Sequence, residues 1–221
     1  MIIAIDGPGG AGKTTLAKML AAKLNFIYLD TGAMYRAVAL AVIQKGAHTL
    51  DEEAVLSTLE DIDLNIDFLN ESQQVYLNGE NVSDKIRNPE VSIGASDVSR
   101  FRGVRLKLVE LQREISHGHD VVLDGRDIGT FVFPNADFKF FLVAPEEVRA
   151  GRRFRELVEK GVSITFEDAL ADLKYRDEND SKREFAPLKP ANDAKIINTA
   201  DMSLEQVLEL LCRDVLGDGK G

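Results

Sequence analysis

Residues 1–15 read Met-Ile-Ile-Ala-Ile-Asp-Gly-Pro-Gly-Gly-Ala-Gly-Lys-Thr-Thr, a short apolar run, a glycine-rich turn and the start of a helix. Ile2, Ile3 and Ile5 fit a buried strand, and Leu16, Met19, Leu20 and Leu24 then fall on one helical face. Between them, Gly7, Pro8, Gly9, Gly10, Ala11, Gly12, Lys13 and Thr14 form a phosphate-binding loop. Glycines there let successive N–H groups converge on an anion, and the following helix turns its positive dipole end toward it. By the mechanics of such loops, Lys13 reaches the β- and γ-phosphates of a nucleoside triphosphate, the Thr14 hydroxyl holds Mg²⁺ and Thr15 reaches the α-phosphate.

Outward from the loop, strand and helix signals alternate. Phe26 to Leu29 and Val121-Val122-Leu123 read as strands, as do Phe138 to Val143 and Lys195-Ile196-Ile197. Helical patterns lie between them, with Asp51, Pro145, Thr165 with Asp168 and Ser203 with Gln206 as start signals. This predicts an α/β chain with a core of about five parallel strands covered by helices on both faces. Ile62, Leu64, Ile66 and Phe68 alternate with polar residues, and Asn78-Gly79 marks a hairpin turn, so a small antiparallel patch interrupts the α/β pattern. The tail Gly217-Asp218-Gly219-Lys220-Gly221 is expected to fray.

Length and composition bound the partners. At 221 residues, with 44% hydrophobic and 29% charged residues, the chain suits one main soluble domain. No apolar run approaches the roughly 20 residues of a membrane span, and the N-terminus runs into the loop without a signal peptide, so a cytoplasmic location is expected. A net charge of -10 argues against nucleic acid or an anionic membrane as partner. Cys212 reads as a buried thiol, and His48, His117 and His119 as solvated side chains rather than metal ligands.

The loop leaves the reaction open, and other anion-binding side chains must narrow it. No Asn-Lys-x-Asp or Leu-Ser-Gly-Gly-Gln segment is present, which counts against a switch GTPase and a transporter ATPase. Arg36 follows the second strand closely and suits either a second phosphate or a solvated helix face. Arg149, Arg152, Arg153 and Arg155 belong to one helical stretch, read either as a lid over the transferring phosphoryl group or as a face paired with neighbouring glutamates. Arg176, Asp180 and Arg183 share a face if helical, and a local ion ladder would explain them equally. Asp124-Gly125-Arg126-Asp127 continues a strand directly and carries two carboxylates and a guanidinium to the loop's edge of the sheet.

Four motifs now stand in order: Gly-Pro-x-x-x-Gly-Lys-x-Thr from Gly7, Asp-Thr-Gly-Ala-Met-Tyr-Arg from Asp30, Asp-Gly-Arg-Asp-Ile-Gly-Thr-x-Val-Phe-Pro from Asp124, and Arg-Asp-x-x-Asp-x-x-Arg from Arg176, before Ala186-Pro187-Leu188. Together they resemble the bacterial cytidylate kinases, P-loop kinases of nucleoside monophosphates, from Ile2 to about Leu211. Thr31 stands where that family usually has Ser, and Thr14 where it often has Ser or Gly; both keep a hydroxyl. The resemblance implies a single kinase domain over 1–221, a β-rich monophosphate-binding insertion at 62–95 and a lid at 149–165. It implies transfer of the ATP γ-phosphate to CMP or dCMP with Mg²⁺, by a monomer whose partners are small nucleotides. Residues 7–15 would hold ATP and Mg²⁺. Arg36 and Arg126 would grip the acceptor phosphate, Ser96, Arg105 and Asp127 would read cytosine, and Arg176 with Asp180 would hold the ribose. Thr31 and Arg183 complete that site, while Arg152 and Arg153 correspond to the lid. Among alternatives, a kinase of another monophosphate differs in its acceptor profile, and a regulatory binding protein would form no ADP with any of them.

Overall fold

The computed structural model describes residues 1–69 and 72–217, so of the expected frayed tail, 218–221 lie outside the described residues. Strand β1 (Ile2–Asp6) ends at Gly7, and helix α1 (Lys13–Leu24) begins directly after the loop. Strand β2 (Ile27–Asp30) follows, and Asp30 accepts the Ala33 N–H at 2.9 Å to cap helix α2 (Thr31–Gln44). Asp51 does the same through Ala54 at 3.1 Å for helix α3 (Glu52–Asp61).

The antiparallel patch forms where the period changes. Strand β3 (Leu64–Leu69) pairs with β4 (Ser72–Leu77), Ile66 opposite Val75, and β4 pairs with the short β5 (Glu80–Asn81). Asn78 at φ 50° and Gly79 at φ 80° make the two-residue turn whose twist matches the flanking strands. The insertion is β only as far as Asn81. Its second half, expected to be β-rich to residue 95, is a 3₁₀ turn at Lys85–Arg87 and helix α4 (Pro89–Val98). Asn88 caps α4 by accepting the Val91 N–H at 2.7 Å, and Pro89 occupies the first turn, where its missing N–H costs nothing.

Helix α5 (Arg102–Ser116) leads into β6 (Val121–Gly125), buried throughout. Strand β7 (Phe138–Val143), the helix pair α6 (Glu146–Glu159) and α7 (Phe166–Lys182), strand β8 (Lys195–Asn198) and helix α8 (Leu204–Leu216) complete the chain. Both capping boxes, Thr165 with Asp168 and Ser203 with Gln206, are made. The five long-range strands are all parallel, in the order β2-β6-β1-β7-β8.

Strand alternation divides the core. Ile3 and Ile5 pack with Leu16, Leu20, Val207, Leu211 and the buried Cys212 under α1 and α8, while Ala4, Leu29 and Leu123 face Val109 of α5. A third cluster joins Met34, Val38 and Val42 of α2 to Val75, Leu77 and Ile86 of the insertion and to Val98 at the end of α4. Parallel register then places Asp6 beside Gly125 and Asp30 beside Asp124 at the carboxyl ends of adjacent strands. Ligands of open α/β sheets bind outside that edge. Among the described residues no helix is long and apolar enough to cross a membrane.

Candidate active site

Gly7 enters the loop at φ 145°, and a Cβ there would stand 2.3 Å from the Leu142 carbonyl oxygen of β7, so the first loop position has room for glycine alone. The loop closes around Lys13, which is 5% exposed and donates from Nζ to the Pro8 carbonyl at 2.7 Å. Burial, then the positive field of Arg126, brings the Lys13 pKa down to about 7. An anion beside this ammonium would reverse that shift. On the next residue, Thr14 Oγ1 donates to Asp124 Oδ2 at 2.9 Å, and Tyr28 donates to Asp124 Oδ1 at 2.6 Å. Burial and the neighbouring Asp30 charge raise the Asp124 pKa. Asp124, at the end of β6, is therefore part of the phosphate-loop environment rather than a mere strand terminus.

A cavity of about 300 Å³ runs from this loop between the insertion and α7. Nine Lys and Arg and five Asp and Glu side chains line it, an excess of four positive charges in a chain whose net charge is -10. Near the loop, Arg36 Nη2 donates to Asp30 Oδ2 at 2.8 Å. Burial would raise the Asp30 carboxyl, but Arg36 and the Ala33 N–H hold it below its ordinary range. Arg126 Nε donates to Asp180 Oδ2 at 2.6 Å. Asp180, pushed up by burial, is held low by Arg126 and Arg183. Arg176 makes no hydrogen bond or ion pair among the described residues, and burial with the repulsion of Arg126 lowers it to about 10. Such crowding of cations is relieved by a polyanion.

The far end of the cavity is drier and more specific. Arg105, 1% exposed, is paired with Asp127, and its Cζ lies 5.5 Å from the Tyr35 ring centroid. Arg183 Nη2 approaches the other Asp127 oxygen at 3.4 Å. Ser96 lies nearby on α4, where its hydroxyl accepts from Asn179 at 3.3 Å. A carboxylate fixed by two guanidiniums at a buried cavity end is suited to accept from an amino group on a planar base.

Over residues 3–216 the chain matches the family model for cytidylate kinase. The chain belongs to the cytidylate kinase family. It is 49% identical over 207 residues to a protein of Caldicellulosiruptor bescii named cytidylate kinase, covering 94% of this chain and 92% of that one. A protein of the same name from Thermotoga maritima is 48% identical over 212 residues, covering 96% and 94%. An uncharacterized protein from Eubacterium ventriosum of known crystal structure shares the fold with a TM-score of 0.50 at 11% identity, over 98% of this chain and 99% of that one. Membership of the family makes this chain a kinase, with the phosphate-binding loop and parallel sheet that such an enzyme uses.

Most residues singled out from sequence meet in the one cavity of this cytidylate kinase fold: Lys13, Thr14, Thr15, Thr31, Arg36, Ser96, Arg105, Arg126, Asp127, Arg153, Arg176, Asp180 and Arg183 all line it. Thr31 does so while donating to the Asp124 carbonyl at 2.7 Å. Arg152 is elsewhere. It faces an adjoining cavity on the other side of the loop, lined also by Ala11, Gly12 and Met202, and donates to the Thr199 hydroxyl and carbonyl at 3.0 and 2.6 Å. Arg153 borders both cavities and pairs with Glu156 at 2.9 Å, the local pairing that the glutamate pattern anticipated.

Two residues that hold the walls of this cavity act through partners that were not legible. Asp6, buried, accepts the N–H groups of Ile128 and Gly129 at 2.8 Å each, and so holds the turn that follows Arg126 and Asp127; burial raises its pKa to about 7 against those donors. Arg149, also buried, donates to the Gly9 carbonyl at 3.0 Å and to Asp177 at 2.5 Å, tying the loop to α7. Each partner is remote in sequence, and the one available signal was a charged residue at the end of an apolar strand or inside an arginine cluster.

Proposed function

We propose that this chain transfers the γ-phosphate of ATP to CMP, and to dCMP, giving ADP and CDP or dCDP. The observation that carries this reading is one continuous cavity with Lys13 and Thr14 at one end, Arg36, Arg126 and Arg176 along it, and the Arg105–Asp127 pair at the other. ATP would lie with its phosphates on residues 7–15 and its base toward Arg152 and Thr199. CMP would lie with its phosphate on Arg36 and Arg126, its ribose against Arg176 and Asp180, and its cytosine against Ser96, Arg105 and Asp127. We read 1–221 as one kinase domain in which 62–95 holds the acceptor and 149–165 serves as lid.

A phosphate monoester with a second pKa of about 6 is already largely dianionic near neutral pH. Its oxygen attacks the γ-phosphorus in line, a P–O bond forms, and the bond to the β-phosphate oxygen breaks as ADP leaves with the electron pair. No proton has to be removed from the acceptor. The task is to hold two anions together, and that is what a surplus of fixed guanidiniums does. The hydroxyl of Thr14 and the carboxylate of Asp124, 2.9 Å apart, are hard oxygen donors of the kind Mg²⁺ takes. Thr14 and Asp124 would hold it, and it would supply positive charge against the triphosphate.

Cytosine offers an amino hydrogen at its 4-position where uracil has an oxygen. An Asp127→Asn variant keeps the shape and offers an amide hydrogen to uracil instead. The preference for CMP over UMP in kcat/KM is expected to fall by about 10- to 100-fold, the size of one specific base contact, with the KM for ATP within about twofold of the parent. An unaltered CMP preference, measured in a coupled ADP assay, would sink the assignment of Asp127.

A further inference from the structure

Strand β2 is an outer strand of the five-stranded sheet, bonded to β6 on one side only. At its last residue the free edge is covered by a side chain. The Asp30 N–H donates to Gln73 Oε1 at 2.7 Å, and Gln73 Nε2 donates to the Asp30 carbonyl at 3.2 Å. A carboxamide carries one donor set and one acceptor, as a peptide group does, so Gln73 of β4 takes the place of a neighbouring strand at this one position. Residue 30 is not an ordinary strand end. Its carboxylate caps α2 and holds Arg36 at 2.8 Å, and no other carboxylate pairs with Arg36 among the described residues. The Arg36 Nε is buried without a partner.

The packing around the pair is open. A cavity of about 310 Å³ lies against it, lined by Lys18, Phe26, Tyr28, Gln73 and Arg87. Val75 and Leu77 hold β4 against α2, and at the β2 edge itself the two hydrogen bonds of Gln73 join β4 to Asp30. From this arrangement, and resting on the proposed CMP kinase reading, we infer that Gln73 is a positioning residue for the acceptor phosphate. It fixes the Asp30 backbone, Asp30 fixes Arg36, and the three-stranded sheet of the insertion is thereby coupled to the phosphate clamp.

The test is kinetic, on the full chain with saturating ATP. Gln73→Leu keeps the volume and removes both hydrogen bonds; Gln73→Met serves the same purpose should the first variant be poorly folded. The KM for CMP is expected to rise about tenfold, the loss of roughly one net hydrogen bond, with kcat and the KM for ATP within twofold of the parent. Cytidine, which lacks the phosphate, is expected to keep its inhibition constant against CMP. In an Arg36→Ala background the Gln73 substitution is expected to have no further effect on CMP. An unchanged KM for CMP, an equal weakening of CMP and cytidine, or an undiminished effect in the Arg36→Ala background would each overturn the inference. The underlying reading fails differently: the parent protein itself would form no ADP with CMP.

Discussion

Replacing Lys13 by alanine is expected to reduce kcat by about 1,000-fold while the protein remains folded. The lysine is buried and held on the Pro8 carbonyl at 2.7 Å, inside the loop proposed to bind the γ-phosphate. Removing a preorganised donor from developing charge in a water-excluded site costs about 3–4 kcal/mol, two to three powers of ten in rate. Stability should not suffer. With its folded pKa near 7 against 10.5 for a free side chain, Lys13 binds protons more tightly in the unfolded chain over that interval. Its contribution to stability therefore worsens as pH falls from about 10.5 toward 7, and the alanine variant lacks that penalty. Thermal unfolding at pH 7.5 beside single-turnover kinetics separates the two quantities. A rate within tenfold of the parent would show that the loop does not handle the transferring group.

Arg126→Ala is expected to lower kcat/KM for CMP by about 1,000-fold or more, the scale on which guanidiniums act in phosphoryl transfer. Arg126 bridges two parts of the site. Its Nε is held by Asp180 on α7, while its Nη2 lies 4.0 Å from the point where a Cβ on Gly9 would stand. It thus reaches the loop and the acceptor side at once, as a group stabilising the shared phosphoryl must. The substitution also removes the hydrogen-bonded counter-charge of Asp180, 5% exposed, and leaves it Arg183 at 3.8 Å and the field of Arg176. Some loss of stability accompanies it for that reason. Arg126→Lys keeps the charge but not the planar fork, so it should recover most of the stability and little of the rate. Lysine activity within tenfold of the parent would mean that Arg126 serves only to neutralise Asp180.

The parts of this molecule that were legible in sequence are those with local causes. A change of hydrophobic period around a glycine loop marked β1 and α1, Asn78-Gly79 marked the hairpin, and Thr165 with Asp168 marked the start of α7. Helix α4 carried an equally local signal in Asn88-Pro89, but its apolar residues Val91, Ile93 and Val98 are β-branched and follow a β-patterned segment, which disguised the change to helix. Arg152 and Arg153 look equivalent in a cluster. On a helix, neighbours are about 100° apart, so Arg152 turns to Thr199 while Arg153 borders the acceptor cavity as well as the adjoining one. Asp6, Arg149 and Gln73 act on the backbone of residues 122, 140 and 43 positions away. Sequence periodicity carries no trace of such partners.

The cavity is proposed to bring a nucleoside triphosphate together with CMP. ADP release from ATP and Mg²⁺, measured across CMP, dCMP, UMP, AMP and GMP, tests it most directly. The highest kcat/KM is expected with CMP or dCMP, at least about tenfold above UMP, as a base read by a buried carboxylate requires. ADP release with CMP no faster than with ATP alone, or a purine monophosphate as the preferred acceptor, would contradict it.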